Sequence, residues 1–316
     1  MRILEGKAFV DALFALSRPG AEHYLAFYDH RLKAVCNDPH SFFIPLDDHI
    51  CHRGDGLFES ICFRKGRIFA LEAHMERMRQ GAEALSLVPP CTWEEMPSII
   101  LEVVRSVHVP DGDIRVFLSR GPGGFGISPK ECPTAGFYVV VLKAHLEAEE
   151  RYAKGISAFT SRIPPKQPYL ARIKNTNYLP NVFMAKEAEE KGKDVAVSFD
   201  EHGIMGEAAI ANIALITKDD LFVCPKLTSI LAGTTLLTAM EIVQERMPCV
   251  ERDISHDDIW EAREILLLTS SKLCVAITEF DGKKIGEGEM RGKPGPISVW
   301  LKKRLFEVLY ESGSQL

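Results

Sequence analysis

The hydrophobic period of this chain changes repeatedly, and a chain that alternates short apolar runs with long apolar stripes has few ways to fold. Residues 24–28 and 61–63 are short runs that read as strands, and Gly66 supports a turn before a third run at 68–70. From Leu71 the pattern changes: Leu71, Met75, Met78, Ala82 and Leu85 step by four, three, four and three, which paints one face of a helix. Thr92 followed three residues later by Glu95 is a capping-box signal for a second helix, striped by Met96, Ile99, Ile100, Val103, Val104 and Val107. Pro97 leaves the first turn of that helix unassigned. Residues 114–118 and 136–142 then read as strands joined across a Gly-rich loop.

The charged stretch 143–155 lacks bulky clusters and reads as a linker. A length of 316 residues, at roughly 150 per domain, agrees with two domains. The expected division is 1–148, a smaller N-terminal α/β domain, and 149–316, a larger strand-rich C-terminal domain. The second part opens with a strand at 156–160 and a loop containing Pro164, Pro165 and Pro168. A helix over 179–191 is stopped by Gly192, and strands follow at 195–199, 211–217, 221–223 and 264–269. Asp200-Glu201-His202-Gly203 is a hairpin turn, because glycine supplies the positive φ that a tight turn needs.

Charge and composition exclude several classes. The formal net charge is −6 and no Lys/Arg block is present, so neither nucleic acid nor an acidic membrane face is an expected partner. Asp11 interrupts the N-terminal apolar run that superficially resembles a leader, and no stretch approaches the ~18 apolar residues of a membrane span. None of the eight cysteines forms a Cys-x-x-Cys pair, so no metal site is expected and the thiols read as reduced, in keeping with a cytoplasmic protein.

Three segments carry chemistry. Lys174 lies in the polar run Arg172-Ile173-Lys174-Asn175-Thr176-Asn177-Tyr178, directly before a helix; taken alone, such a lysine is an ordinary solvated one. Glu207 follows the hairpin at the head of an apolar strand, where an exposed carboxylate is common. Ala232-Gly233-Thr234-Thr235 opens a helix whose free N–H groups suit a phosphate, although threonine is also a common N-cap.

With Arg53-Gly54-Asp55-Gly56-Leu57-Phe58-Glu59, Leu71-Glu72-Ala73-His74-Met75-Glu76-Arg77-Met78, Ser119-Arg120-Gly121-Pro122-Gly123-Gly124, Asn212 and Thr269-Ser270-Ser271, these segments resemble the class IV (fold-type IV) aminotransferases over roughly residues 45–296. That family includes branched-chain aminotransferases, D-amino acid aminotransferases and aminodeoxychorismate lyase. The resemblance implies a two-domain α/β fold with pyridoxal 5'-phosphate at the domain interface, and a homodimer. It makes Lys174 the amine that forms a Schiff base with the cofactor and then moves a proton, two tasks a primary amine can combine. It sets Glu207 against the pyridine nitrogen and Tyr178 against the ring hydroxyl. Arg77, the N–H groups of Thr234 and Thr235, and the Ser270 hydroxyl would hold the phosphate. Arg77 lies off the apolar stripe, so periodicity alone makes it solvated; only the resemblance makes it a ligand. His74 reads as a packed helix residue, and Asp55 and Glu59 receive no chemical role.

The substrate-facing positions fit no single subgroup. Phe58 and Phe125 stand where D-amino acid enzymes have a tyrosine and an arginine. Phe58 and Arg115 match branched-chain enzymes, although Asp113 replaces their tyrosine. The loop 120–126 resembles that of the lyase, again with Phe125 in place of arginine. The expected activity is transfer of an amino group from an apolar, for instance branched-chain, amino acid to a 2-oxo acid such as 2-oxoglutarate, with Phe58, Arg115 and Ser271 contacting substrate. The alternatives are release of pyruvate and 4-aminobenzoate from aminodeoxychorismate, transamination of D-amino acids, and cofactor binding without turnover.

Overall fold

In-register pairing of alternately buried and half-buried positions builds the first sheet. The computed structural model describes residues 1–316 and divides into two units, Met1–His145 with Ser314–Leu316, and Leu146–Gly313. The first unit contains α1 (Gly6–Phe14), β1 (Tyr24–Asp29), β2 (Ala34–Cys36), the short α2 (His49–His52), β3 (Gly56–Arg64), β4 (Arg67–Ile68), α3 (Leu71–Ala84), α4 (Glu95–Arg105), β5 (Gly112–Ser119) and β6 (Gly136–Lys143). Its sheet runs β4-β3-β5-β6-β1-β2, every neighbour antiparallel, and the strand Ser314–Gln315 completes the β4 edge. The expected stripe of α3 is buried through Leu71, Met75, Met78 and Ala82, and His74 joins it. Thr92 and Glu95 exchange the two bonds of a capping box, Thr92 N–H to Glu95 at 2.8 Å and Glu95 N–H to the Thr92 hydroxyl at 3.3 Å. Pro97 sits in the first turn of α4, where its missing N–H leaves no bond unmade.

The second unit contains α5 (Glu149–Lys154), β7 (Ile156–Thr160), α6 (Pro168–Ala171), α7 (Leu179–Lys191), β8 (Val195–Phe199), β9 (Met205–Ala208) and β10 (Asn212–Ile216). It continues with β11 (Phe222–Cys224), α8 (Thr234–Val243), β12 (Cys249–Glu251), α9 (His256–Glu261), β13 (Glu264–Thr269), β14 (Leu273–Phe280), β15 (Lys283–Lys284) and α10 (Pro296–Ser312). The mixed sheet runs β12-β11-β10-β13-β14-β7-β8-β9, with β15 on β14. β9 is an edge, yet only three residues separate it from β10 near the other edge, so the sheet must curl. Alternate residues of its strands, among them Ala158, Val197, Ile213, Leu215, Ile265, Leu267, Val275 and Ile277, fill one interior core.

Three expectations change. The 143–155 stretch is not a plain linker: β6 reaches Lys143, α5 forms, and Glu147 ion-pairs with Arg151 and Lys272. The division falls at 145/146 rather than 148/149, and the last three residues return to the first unit because Ser314 and Gln315 pair with Ile68 and Arg67. The run at 68–70 stops at Ile68, since Ala70 adopts a left-handed φ of 48° to start α3.

Candidate active site

Several connections of the second unit converge on one end of its sheet. β9 finishes at Ala208 and β10 begins at Asn212, which lies across from Leu268 on β13. The turn after β13 carries Ser270 and Ser271 at the same end. The 209–211 connection also receives α7, because Asn181 Nδ2 donates to the Ala209 carbonyl at 2.5 Å. The segment leading into α7 is therefore brought here, and it contains Lys174. Buried Asn175 braces that segment: its Nδ2 donates to the carbonyls of Leu170 (3.2 Å) and Ile173 (3.0 Å), and its Oδ1 accepts from Asn177 N–H at 3.0 Å. Lys174 itself is half-buried, with Nζ 5.9 Å from the centre of the Tyr178 ring.

Glu207 is fixed from both sides of its strand. Its backbone N–H donates to Ser198 Oγ at 3.3 Å, and the same hydroxyl donates to the Glu207 carbonyl at 2.9 Å. Its carboxylate oxygen Oε2 accepts from Leu231 N–H at 3.3 Å. Leu231 leads straight into α8, and Asn212 Nδ2 donates to the Leu231 carbonyl at 2.9 Å. A Cβ at residue 233 would stand 1.9 Å from Asn212 Oδ1, so the turn approaches Asn212 this closely only with glycine.

The start of α8 has the chemistry of an anion site. Gly233 at the N-cap has no side chain to satisfy the first N–H groups, and Thr234 and Thr235 behind it are buried. The Thr235 hydroxyl is buried with no hydrogen-bond partner. A group in that condition costs about 1–3 kcal/mol unless something binds it. A phosphate fits this cradle, since it takes up the N–H groups, the hydroxyl and the positive end of the helix dipole together.

Lys166, which the sequence motifs do not single out, joins this group. It sits between Pro165 and Pro168, and Pro165 presses on β9 so tightly that a Cβ at Gly206 would lie 2.8 Å from it. Lys166 Nζ stands 4.6 Å from the centre of the Tyr178 ring. Burial pulls its ammonium below the ordinary lysine value, and the charge of Glu207 opposes that pull.

The remaining candidates lie in the first unit. Arg77 is not solvated as periodicity implies: its Nε and Nη2 donate to fully buried Glu59 at 2.9 and 2.6 Å. His74 Nδ1 meets the same carboxylate at 2.7 Å. Burial alone would push the Glu59 carboxyl up, but the charges and hydrogen bonds of Arg77 and His74 outweigh it and hold it at about 2. Glu59 thus sets the plane of the Arg77 guanidinium. On the other face of the sheet, Phe58 pairs with Phe117 and Ser60 with Arg115, all four half-buried. The two phenyl centres are 6.3 Å apart. Burial pulls the Arg115 guanidinium below its ordinary value against the charge of Asp113, and it remains charged. Asp113 is committed to structure by Arg64 Nη2 at 3.1 Å and His145 N–H at 3.1 Å. Asp55 is likewise structural, clasped by Arg120 at 2.9 and 3.0 Å.

The structure therefore brings Lys174, Tyr178, Glu207, Thr234 and Thr235 together in one unit. It places Ser270 and Ser271 at the same sheet end without bonding them to the others, and it gathers Phe58 and Arg115 on one face of the other unit. Asn175, Asn212 and Glu59 emerge as the residues that hold these groups in place. The first two carried a signal in the asparagine-rich run and in the motif around Glu207.

Known proteins resemble this chain over most of its length. The family model "Amino-transferase class IV" matches residues 56–280, more than two thirds of the chain. The D-amino-acid transaminase, chloroplastic, of Arabidopsis thaliana is 30% identical over 92% of this chain and 77% of its own length. A putative branched-chain-amino-acid aminotransferase of Methanocaldococcus jannaschii is 28% identical over 84% of this chain and 91% of its own. In fold, the chain is similar to the branched-chain aminotransferase of the thermophilic archaeon Thermoproteus uzoniensis, solved with norvaline, at a TM-score of 0.81 and 21% identity over 90% of this chain and 95% of that one.

Proposed function

The chain belongs to the class IV aminotransferases, two-domain α/β enzymes of fold type IV, and from that premise we propose that it moves the amino group of an apolar amino acid to a 2-oxo acid, using pyridoxal 5'-phosphate held by Lys174. One observation carries the reading: Lys174, Tyr178 and Glu207 meet at one sheet end beside a helix terminus with an unsatisfied buried threonine hydroxyl. When bound, the cofactor supplies an electron sink for charge developing on the substrate Cα. The protein supplies everything else. The Lys174 amine would hold the cofactor and would carry the substrate Cα proton. Glu207, oriented by Leu231 N–H, would keep a proton on the cofactor's ring nitrogen. Tyr178 would hydrogen-bond the ring oxygen, and the start of α8 with Thr235 Oγ1 would receive the phosphate. Ser270 and Arg77, the latter oriented by Glu59, complete the phosphate set in this reading. Phe58 and Phe117 would offer an apolar wall and Arg115 on the same sheet face would take a carboxylate, and the family resemblance assigns Ser271 to the same substrate set. The reading extends to a homodimer working in the cytoplasm.

Borohydride reduction of cofactor-loaded protein followed by peptide mapping tests the central bond. The label is expected on Lys174; a label on another lysine, or normal turnover by Lys174→Ala, overturns the assignment. The 30% identity to a D-amino-acid transaminase favours a second reading of donor handedness. Donors of both enantiomers offered with 2-oxoglutarate decide it by which one yields glutamate.

A further inference from the structure

Lys166 is a half-buried amine without an ion-pair partner, acted on only from a distance by the charge of Glu207. No carboxylate reaches it closely enough for an ion pair and no acceptor takes its N–H groups, although the Tyr178 ring lies 4.6 Å below Nζ. A ring face attracts a cation but accepts none of the three ammonium hydrogens in the manner of an oxygen. Keeping a desolvated ammonium in that state is costly unless an anion arrives. Its position is not accidental drift of a long side chain. Prolines on either side stiffen the loop, and the contact of Pro165 with Gly206 locks it against the strand that carries Glu207. The amine therefore stands near the same ring as Lys174, within reach of the charge of Glu207.

We propose that Lys166 is a substrate-specificity residue whose ammonium, seated over the Tyr178 ring, receives a carboxylate of the amino-acid or 2-oxo-acid substrate. This rests on the aminotransferase reading above, and the chemistry is shared by two groups: the carboxylate next to the reacting carbon, and the far carboxylate of a dicarboxylic substrate. Lysine suits either as a compact point charge.

Two non-reacting carboxylates distinguish the sources. Glutarate and 4-methylvalerate are titrated by calorimetry into the cofactor-loaded wild type, Lys166→Gln and Lys166→Arg. Glutarate is expected to bind Lys166→Gln at least about tenfold more weakly and Lys166→Arg within about threefold of wild type, as for loss and retention of a charged hydrogen bond. Cofactor content should not change, and the thermal midpoint should not fall. An equal loss for 4-methylvalerate assigns Lys166 to the carboxylate beside the reacting carbon; a loss confined to glutarate assigns it to the far one. The proposal is overturned if both probes bind Lys166→Gln as tightly as wild type, if wild type binds neither, or if weaker binding comes only with lost cofactor. None of these titrations requires turnover, so they stand or fall separately from the Lys174→Ala result.

Discussion

A single hydroxyl, that of Thr235, separates a binding role from a structural one. Because it is buried and unsatisfied, Thr235→Val removes a cost rather than a bond, so the cofactor-free protein should be as stable as wild type or up to about 1 kcal/mol more stable. Affinity for pyridoxal 5'-phosphate should nevertheless fall about tenfold, read by cofactor titration; unchanged affinity would remove Thr235 from the cradle. Glu207→Gln should keep its bond to Leu231 N–H and still load cofactor, yet lose at least about a hundredfold in turnover. Kinetics like those of wild type would mean another acid faces the ring. Glu59 makes a prediction in pH. Its folded value of about 2 lies below the ordinary one of 4.5, so its contribution, on the order of 3 kcal/mol, is fully present above about pH 4.5 and drains away as the pH falls toward 2. Glu59→Gln should be destabilised at pH 7 and show a flatter loss of stability across that acid window in urea unfolding. Motif order makes Lys174, Tyr178 and Glu207 legible in the sequence. Lys166 is not legible, because its meaning comes from a ring twelve residues later and a strand forty residues later that only the fold brings beside it.

Elements are legible where a helical stripe, a glycine stop or a bounded apolar run marks them. α3 announces itself through its stripe, α7 through Gly192, which caps it at a left-handed φ of 60°, and β8 and β13 through their bounded apolar runs. Only the last few residues of β3 read as strand because buried Glu59 interrupts the apolar run, and nothing local says that Arg77 and His74 neutralise it. β14 is buried on both faces like β13 and carries a comparable apolar run, and the expected elements omit it. α10 carries a stripe, Ile297, Leu301, Leu305 and Leu309, that the sequence offers plainly and that the expected elements omit. The strand Ser314–Gln315 is too short for any pattern and exists because β4 offers it an edge. A chain ending at residue 313 should therefore show faster amide exchange at residues 67 and 68 and unchanged protection in β13 and β14. Equal exchange in the two forms would mean the added strand contributes nothing.

At the scale of the molecule, each unit has its own sheet, and the apolar residues left outside are not scattered evenly. Leu179, Val182 and Phe183 lie exposed along α7, with Tyr169, Leu170 and Ile210 among the other large exposed apolar side chains of that unit. A patch of this kind is expected to be covered in solution, so sedimentation should report about twice the 35.3 kDa of one chain. Val182→Glu with Phe183→Glu should shift the population to single chains; a wild type that sediments as one chain would refute the homodimer. The return of residues 314–316 to the first sheet also sets an order of events during synthesis. Translation delivers the whole of Leu146–Gly313 before it delivers the strand that closes the β4 edge. On the ribosome, the earlier-made unit must wait with this flank open while the later-made one is still emerging, which leaves it accessible to a chaperone or a mispairing neighbour until synthesis reaches the last residues.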